Sequence, residues 1–175
     1  MEKVLLIDYF DIEPAIQDDK INFDIADIND IDAKPFLSRS ARNNGIGDYV
    51  TGPELKKNKG NVISLALDGS TGSTFYQYHE FFSGQNIWLL KPKKDKIPEF
   101  TPKIALYLIT SIRKAVAAYT YNLSLTKTRL KKINIFLPLK EDGTLDTEYI
   151  LAEMNKVKHI SLVEEMLDER YQILS

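Results

Sequence analysis

The chain has 175 residues, 43% hydrophobic and 27% charged, with a net charge of −2. That length and apolar content support one sizeable core and exclude an intrinsically disordered protein. Cysteine is absent, which removes disulfide frameworks, thiolate zinc sites, iron–sulfur clusters and cysteine nucleophiles, and suits a reducing cytoplasm.

The chain opens Met1-Glu2-Lys3 and continues with acids rather than a basic leader and cleavage site, so no secretory signal is expected. No stretch approaches the ~18 apolar residues of a membrane span, and the expectation is a soluble cytoplasmic protein. Residues 3–10 read as a short strand or helix. Residues 11–34 set isoleucines among aspartates, which predicts a strand near 21–25 followed by irregular turns. Lys34 to Ser40 reads as a strand and runs into Asn43-Asn44-Gly45, a turn signal because these residues tolerate positive φ. Asn61 to Leu67 is a clear strand that ends in the glycine-rich turn Asp68-Gly69-Ser70-Thr71-Gly72-Ser73. Residues 74–78 and 85–90 are further strands. Thr101-Pro102 supplies an N-cap hydroxyl and a proline at the first helical position, predicting a helix to about Tyr119 with Ile104, Leu108, Ile112 and Ala115 on one stripe. A short helix over 125–132 with Leu130 inward, a strand at 133–137 ended by Pro138, and a helical region from Asp146 complete the chain. A capping-box pattern at Ser161-Leu162-Val163-Glu164 predicts a second helical start within that tail.

Charge is segregated. Residues 1–32 carry −8, residues 91–132 carry +9 and residues 141–175 carry −6. A basic middle between acidic ends suits either a polyanion-binding face or an ordinary solvated lysine surface, and the acidic ends argue against strong non-specific nucleic-acid binding.

Few residues offer catalysis. The Asp68-Gly69-Ser70-Thr71-Gly72 turn lacks the Gly-Lys-Ser/Thr ending of a phosphate loop, and an aspartic protease needs two such elements. His79 and His159 stand alone, so neither a transition-metal site nor a cofactor is expected. The acid-rich start leaves a magnesium site as a minor alternative. Arg39, Arg42, Asn43 and Asn44 bunch beside one turn, and arginine and asparagine bind guanine and adenine edges bidentately. The other reading is a polar loop in which the asparagines serve the turn. The 119–129 stretch mixes Tyr119 and Tyr121 with hydroxyls, Asn122, Lys127 and Arg129, which suits a phosphate-contacting loop or a polar connection.

Several segments resemble, in order, one family. Pro35-Phe36-Leu37-Ser38-Arg39-Ser40 with Asn43-Asn44-Gly45-Ile46, then Gly60-Asn61-Val62-Ile63-Ser64-Leu65 with Asp68-Gly69 and Phe75-Tyr76-Gln77, then Leu90-Lys91-Pro92, then Tyr121 with Leu130-Lys131-Lys132-Ile133-Asn134-Ile135-Phe136-Leu137-Pro138, and finally Gly143 to Ile150 are similar to target recognition domains. These belong to DNA specificity subunits of type I and type IIB/IIG-like restriction–modification systems. The type I spacer-helix opening expected after Pro138 is missing, which tilts the resemblance toward the type IIB/IIG-like branch.

The resemblance implies an α+β, mixed-sheet target recognition domain over residues 1–145 and a helical spacer or dimerisation tail over 146–175. It implies sequence-specific recognition of double-stranded DNA in complex with a methyltransferase subunit and no bond-making by the chain itself, and it leaves open a restriction subunit as a further partner and a homodimer through the tail. The DNA-contact residues it points to are Arg39, Arg42, Asn43, Asn44, Ser70, Thr71, Ser73, Tyr121, Asn122, Lys127 and Arg129. Phe36, Ile63, Phe75, Leu89, Ile135 and Leu137 are the expected core. The alternatives are a protein-interaction module without DNA affinity and a small carboxylate-dependent hydrolase or nuclease.

Overall fold

The computed structural model describes residues 1–119, 124–163 and 165–167. Its centre is a four-stranded antiparallel sheet in the order β2 (Phe10–Pro14), β9 (Ile87–Pro92), β6 (Val62–Ala66) and β7 (Thr74–Gln77). Strand β6 lies between β9 and β7, with Ile63 opposite Leu90 and Tyr76. All five of its residues are buried, so both faces must be covered, and period-two alternation puts different partners on each. Ile63 and Leu65 face one cluster, which contains Ile104, Leu108 and Ile112 of α2 (Pro102–Val116). Val62 and Ala66 join a second cluster with Leu37 and Phe81.

The second cluster belongs to the other sheet, ordered β3 (Asp24–Ile25), β5 (Ile46–Thr51), β4 (Lys34–Leu37) and β8 (Phe82–Ser83). Strands β4 and β8 run parallel and the rest antiparallel, so the sheet is mixed. Phe23 packs against Phe36 and Phe82, with ring centroids 5.4 and 4.8 Å away. On the opposite side of the central sheet, β1 (Glu2–Leu5) pairs with β10 (Asn134–Leu137) beside α2. The four-residue helix α1 (Leu6–Tyr9) links β1 to β2, so residues 3–10 hold both of the alternatives read in the sequence.

Helix α2 begins where the sequence places it, with the Thr101 hydroxyl accepting from the Ile104 N–H and Pro102 first in the helix. It ends at Val116, earlier than expected, and Ile109 and Val116 share its inner face while Ala115 is half-buried. Helix α3 (Lys127–Leu130) is capped by Thr126 and buries Leu130. Helix α4 (Thr147–Met154) is capped by Asp146, packs on α2, and puts Ile150 and Met154 into the same core cluster as β6. His159 takes a left-handed φ of 65°, and helical backbone resumes at residue 160, one residue before the capping-box serine.

Two expectations need correction. The strand foreseen at 21–25 is a 3-10 turn at Lys20–Asn22 followed by the two residues of β3. Side chains redirect this segment: Asn22 donates to Asp18. Beyond it, in the irregular turns foreseen there, the Asp27 and Asp30 carboxylates accept from nearby backbone N–H groups. Such short-range bonds compete with a strand ladder. Phe75 is half-buried rather than a core residue, with the Arg113 guanidinium 5.1 Å from its ring centroid. Phe36, Ile63, Leu89, Ile135 and Leu137 are buried as expected.

Two polar side chains stand in for peptide groups. Asn58 donates to the Ile16 carbonyl at 3.0 Å and accepts from its N–H at 2.7 Å. Ser111 of α2 does the same for Phe136 of β10, donating at 2.9 Å and accepting at 3.0 Å.

Leu108→Ala should cost about 2–5 kcal/mol through cavity formation. Ile21→Ser, at a side chain 91% exposed, should stay within about 0.5 kcal/mol. Urea unfolding of both variants checks the contrast.

Candidate nucleic-acid interface

At one end of the central sheet, β2 finishes, β6 turns into β7, and β9 begins. Three turns meet there. Arg39, on the turn after β4, places Nη1 3.0 Å from both carboxylate oxygens of Asp68 on the β6–β7 turn. Asn86, before β9, donates to the same carboxylate at 2.7 Å. The Ser70 N–H donates to the Arg39 carbonyl at 3.2 Å.

Glycine makes this approach possible. Gly69 has φ +65°, and a Cβ there would lie 2.9 Å from the Arg39 Cβ. Gly72, at φ +81°, faces Val116 near the end of α2, where an added Cβ would come within 3.1 Å. A side chain at either position would be strained by its backbone and would crowd the neighbouring element. The turn therefore links sheet, Arg39 and helix in one assembly.

The foreseen contact residues occupy distinct situations. Ser70, Thr71 and Ser73 are half-buried on the β6–β7 turn. Arg42 is exposed, and no described residue hydrogen-bonds or pairs with its guanidinium. Asn43 and Asn44 take left-handed φ values of 48° and 52°, and both amides serve the protein. Asn43 donates to the Ile46 carbonyl, while Asn44 donates to the Tyr76 carbonyl at 2.9 Å and to Gln77 Oε1 at 3.3 Å. Buried Gln77 returns the contact to the Asn44 carbonyl and also donates to Ser64 on β6, both at 3.0 Å. The turn-serving reading of these asparagines is the one the geometry favours.

On the α2 side of this end, Lys127 holds its ammonium 5.2 Å from the Trp88 ring centroid, and Leu125 is buried in the main core. Arg129 is exposed and donates to the Ser124 carbonyl. Tyr121 and Asn122 lie outside the described residues. Arg39, Ser70, Thr71 and Ser73 thus form one connected set, Arg42 to Asn44 extend it over the edge strand β7, and Lys127 with Arg129 stand at the same end on the other face.

The basic middle of the sequence does not gather on one surface. Lys91 pairs with Glu13, and Lys93 donates to the Ile7 carbonyl at 2.7 Å with Asp11 3.9 Å away. The Lys96 carbonyl accepts from Leu145. Strand β9 has carried these lysines to the end of the sheet away from the turns, so the sequence charge run divides between two ends.

A groove of about 620 Å³ opens beside the Arg39 turn, with Ser38, Ser40, Gly69, Gln85, Asp18 and Asp19 on its walls. The Asn22 amide, the Asp19 N–H and the Lys56 ammonium hold the Asp18 carboxyl below the usual carboxylate range, so it is anionic at neutral pH. No group of three or more acidic, histidine or cysteine side chains among the described residues is placed to hold a metal ion.

Sequence reasoning missed Asp68, Asn86, Trp88 and Gln77 as members of this end. Asp68 and Gln77 stand in segments that carry the family resemblance, but their partners, like those of Asn86 and Trp88, lie far away in the chain and leave no local signal.

The chain is thus a layered α+β domain with mixed sheets and its polar turns gathered at one end of the central sheet. The S subunit of the type I system of M. genitalium aligns with 99% of the chain at a TM-score of 0.60 and 12% identity. A chain from a structure of the type I R–M system aligns over 98% at 0.62 and 15% identity. The HsdS subunit of Thermoanaerobacter tengcongensis aligns over 99% at 0.56 and 14% identity. Residues 1–157 match the family of type I restriction modification DNA specificity domains, and the chain belongs to that family. The specificity subunit S.BcgI of a type II restriction enzyme from Heyndrickxia coagulans is 28% identical over 123 residues, 70% of this chain. The chain spans 35% of that relative and 41% of the M. genitalium subunit. No described helix is long and apolar enough to cross a membrane.

Because glycine accepts the positive φ that both asparagines hold, Asn43→Gly and Asn44→Gly isolate the amide contribution. Asn44→Gly should be the more destabilising by about 1 kcal/mol, since it strands the Gln77 amide oxygen. Thermal unfolding of the two variants measures the difference.

Proposed function

We propose that this chain recognises a DNA sequence in the duplex and directs a methyltransferase to it, as the specificity component of a cytoplasmic restriction–modification complex that also includes a restriction activity. The chain itself makes and breaks no bonds. The observation that carries this reading is the specificity-domain match over residues 1–157.

The convergence of polar turns at one end of the central sheet supports a division of labour. Arg42 and Lys127 are exposed cations, suited to a guanine edge or a phosphate. Ser70, Thr71 and Ser73 offer hydroxyls to phosphate oxygens, with Arg39 beside them. Arg129 stands on the other face of the same end, and Tyr121 and Asn122 remain contact candidates by residue type alone. Asn43 and Asn44 shape the turn that carries Arg42, their amides being engaged within the protein. The 146–175 segment acts as spacer. Exposed Val157, Leu162 and Met166 along it favour pairing of two copies through this tail.

A gel-shift series between 50 and 200 mM salt tests the reading. Affinity should fall steeply as salt rises, because each neutralised phosphate adds about 0.9 to the slope of log K against log salt. Arg42→Ala and Lys127→Ala should each weaken binding and reduce that slope by about one, leaving the unfolding midpoint unchanged. Absence of duplex binding, alone and with the methyltransferase subunit, overturns the proposal. Light scattering tests the pairing: truncation after residue 157 retains Ile150 and Met154 in the core and should still abolish any dimer.

A further inference from the structure

We propose that Asp68 is a positioning residue that sets specificity: it withholds the Arg39 guanidinium from phosphates, and the pair yields to a base pair that satisfies both partners together. This rests on the DNA-recognition reading above. An arginine projecting from a DNA-facing turn binds phosphates regardless of sequence, because the gain comes from counterion release. Here both Asp68 oxygens lie 3.0 Å from Arg39 Nη1, and Asn86 holds the carboxylate by a third bond of 2.7 Å.

Both side chains are 47% exposed. An ion pair so open to water is weak, and a competing ligand can separate it. A phosphate satisfies only Arg39 and leaves Asp68 facing added negative charge. A G·C pair in the major groove offers acceptors at guanine O6 and N7 and a donor at cytosine N4. It therefore satisfies arginine and aspartate side by side. Asn86 keeps the carboxylate in place when the guanidinium leaves. The carboxylate thus penalises non-target duplex more than target.

The test measures the full chain against duplexes of random sequence. Asp68→Asn should bind them about five- to tenfold more tightly at 0.1 M salt, with the log–log salt slope steeper by about one, as an added phosphate contact requires. Loosened turns would instead weaken binding, so the sign of the change separates gating from a structural role. The rise should vanish when Asp68→Asn is combined with Arg39→Gln. Glu80→Gln, which removes the same charge beside Lys57, should leave affinity unchanged. Selection from a randomised pool should give the variant a motif lacking one G·C position read by the wild type. Unchanged or weaker random-duplex binding by Asp68→Asn, a rise that persists with Arg39→Gln, or a motif that keeps every position overturns the inference while the DNA-recognition reading stands. A wild-type chain that binds no duplex, alone and with the methyltransferase subunit, overturns both.

Discussion

The molecule is organised by the double burial of β6. A strand buried on both faces cannot be stabilised by one partner layer, so the fold places α2 and the β1–β10 pair on one side and the mixed second sheet on the other. Ile63 and Leu65 hold the first layer, and Val62 and Ala66 the second. With about 25 cal/mol gained per Å² of apolar surface removed from water, these two interfaces supply the main force that overcomes chain entropy. The turns are peripheral to that force, but their positions depend on it, because β6, β7 and β9 deliver them to a common end.

Hydrogen-bonding side chains then fix what hydrophobic burial leaves loose. Asn58, Ser111 and Gln77 each satisfy backbone groups of a segment remote in sequence. Buried polar groups left unpaired are costly, so such residues tolerate few alternative arrangements. Gln77 is especially constraining: it bonds β6 and the Asn44 turn together, and the turn that carries Arg42 is thereby registered against the central sheet.

The sequence exposed the parts of this plan governed by local chemistry. Thr101-Pro102 announced the start of α2, the apolar run around Ile63 announced β6, and Asn44-Gly45 announced a turn with left-handed backbone. Harder to see was anything decided by distant partners. Within the strand expected at 21–25, the Asn22 amide turns back to Asp18 instead. Phe75 stands on the edge strand β7, half-buried beside the Arg113 guanidinium, which arrives from a helix far along the chain. The +9 segment stays open to two readings in the sequence, because sequence order conceals that β9 carries its lysines away from the turns. The contact candidates could be named by residue type, but type alone could not separate an exposed Arg42 from an Asn44 whose amide is already engaged.

Helix α2 touches both ends of this design. Near its close, Val116 buttresses the β6–β7 turn at Gly72, and along its length it packs against α4. Its 15 residues span about 22 Å of continuous hydrogen-bonded rod, with no internal proline to act as a joint. One unbroken helix therefore joins the surface that receives α4 to the β6–β7 turn. Beyond Met154 the regular helix ends and the backbone turns through His159, yet Ile160 and Leu167 still pack back on the main core, so the chain past α4 stays anchored to the same layer.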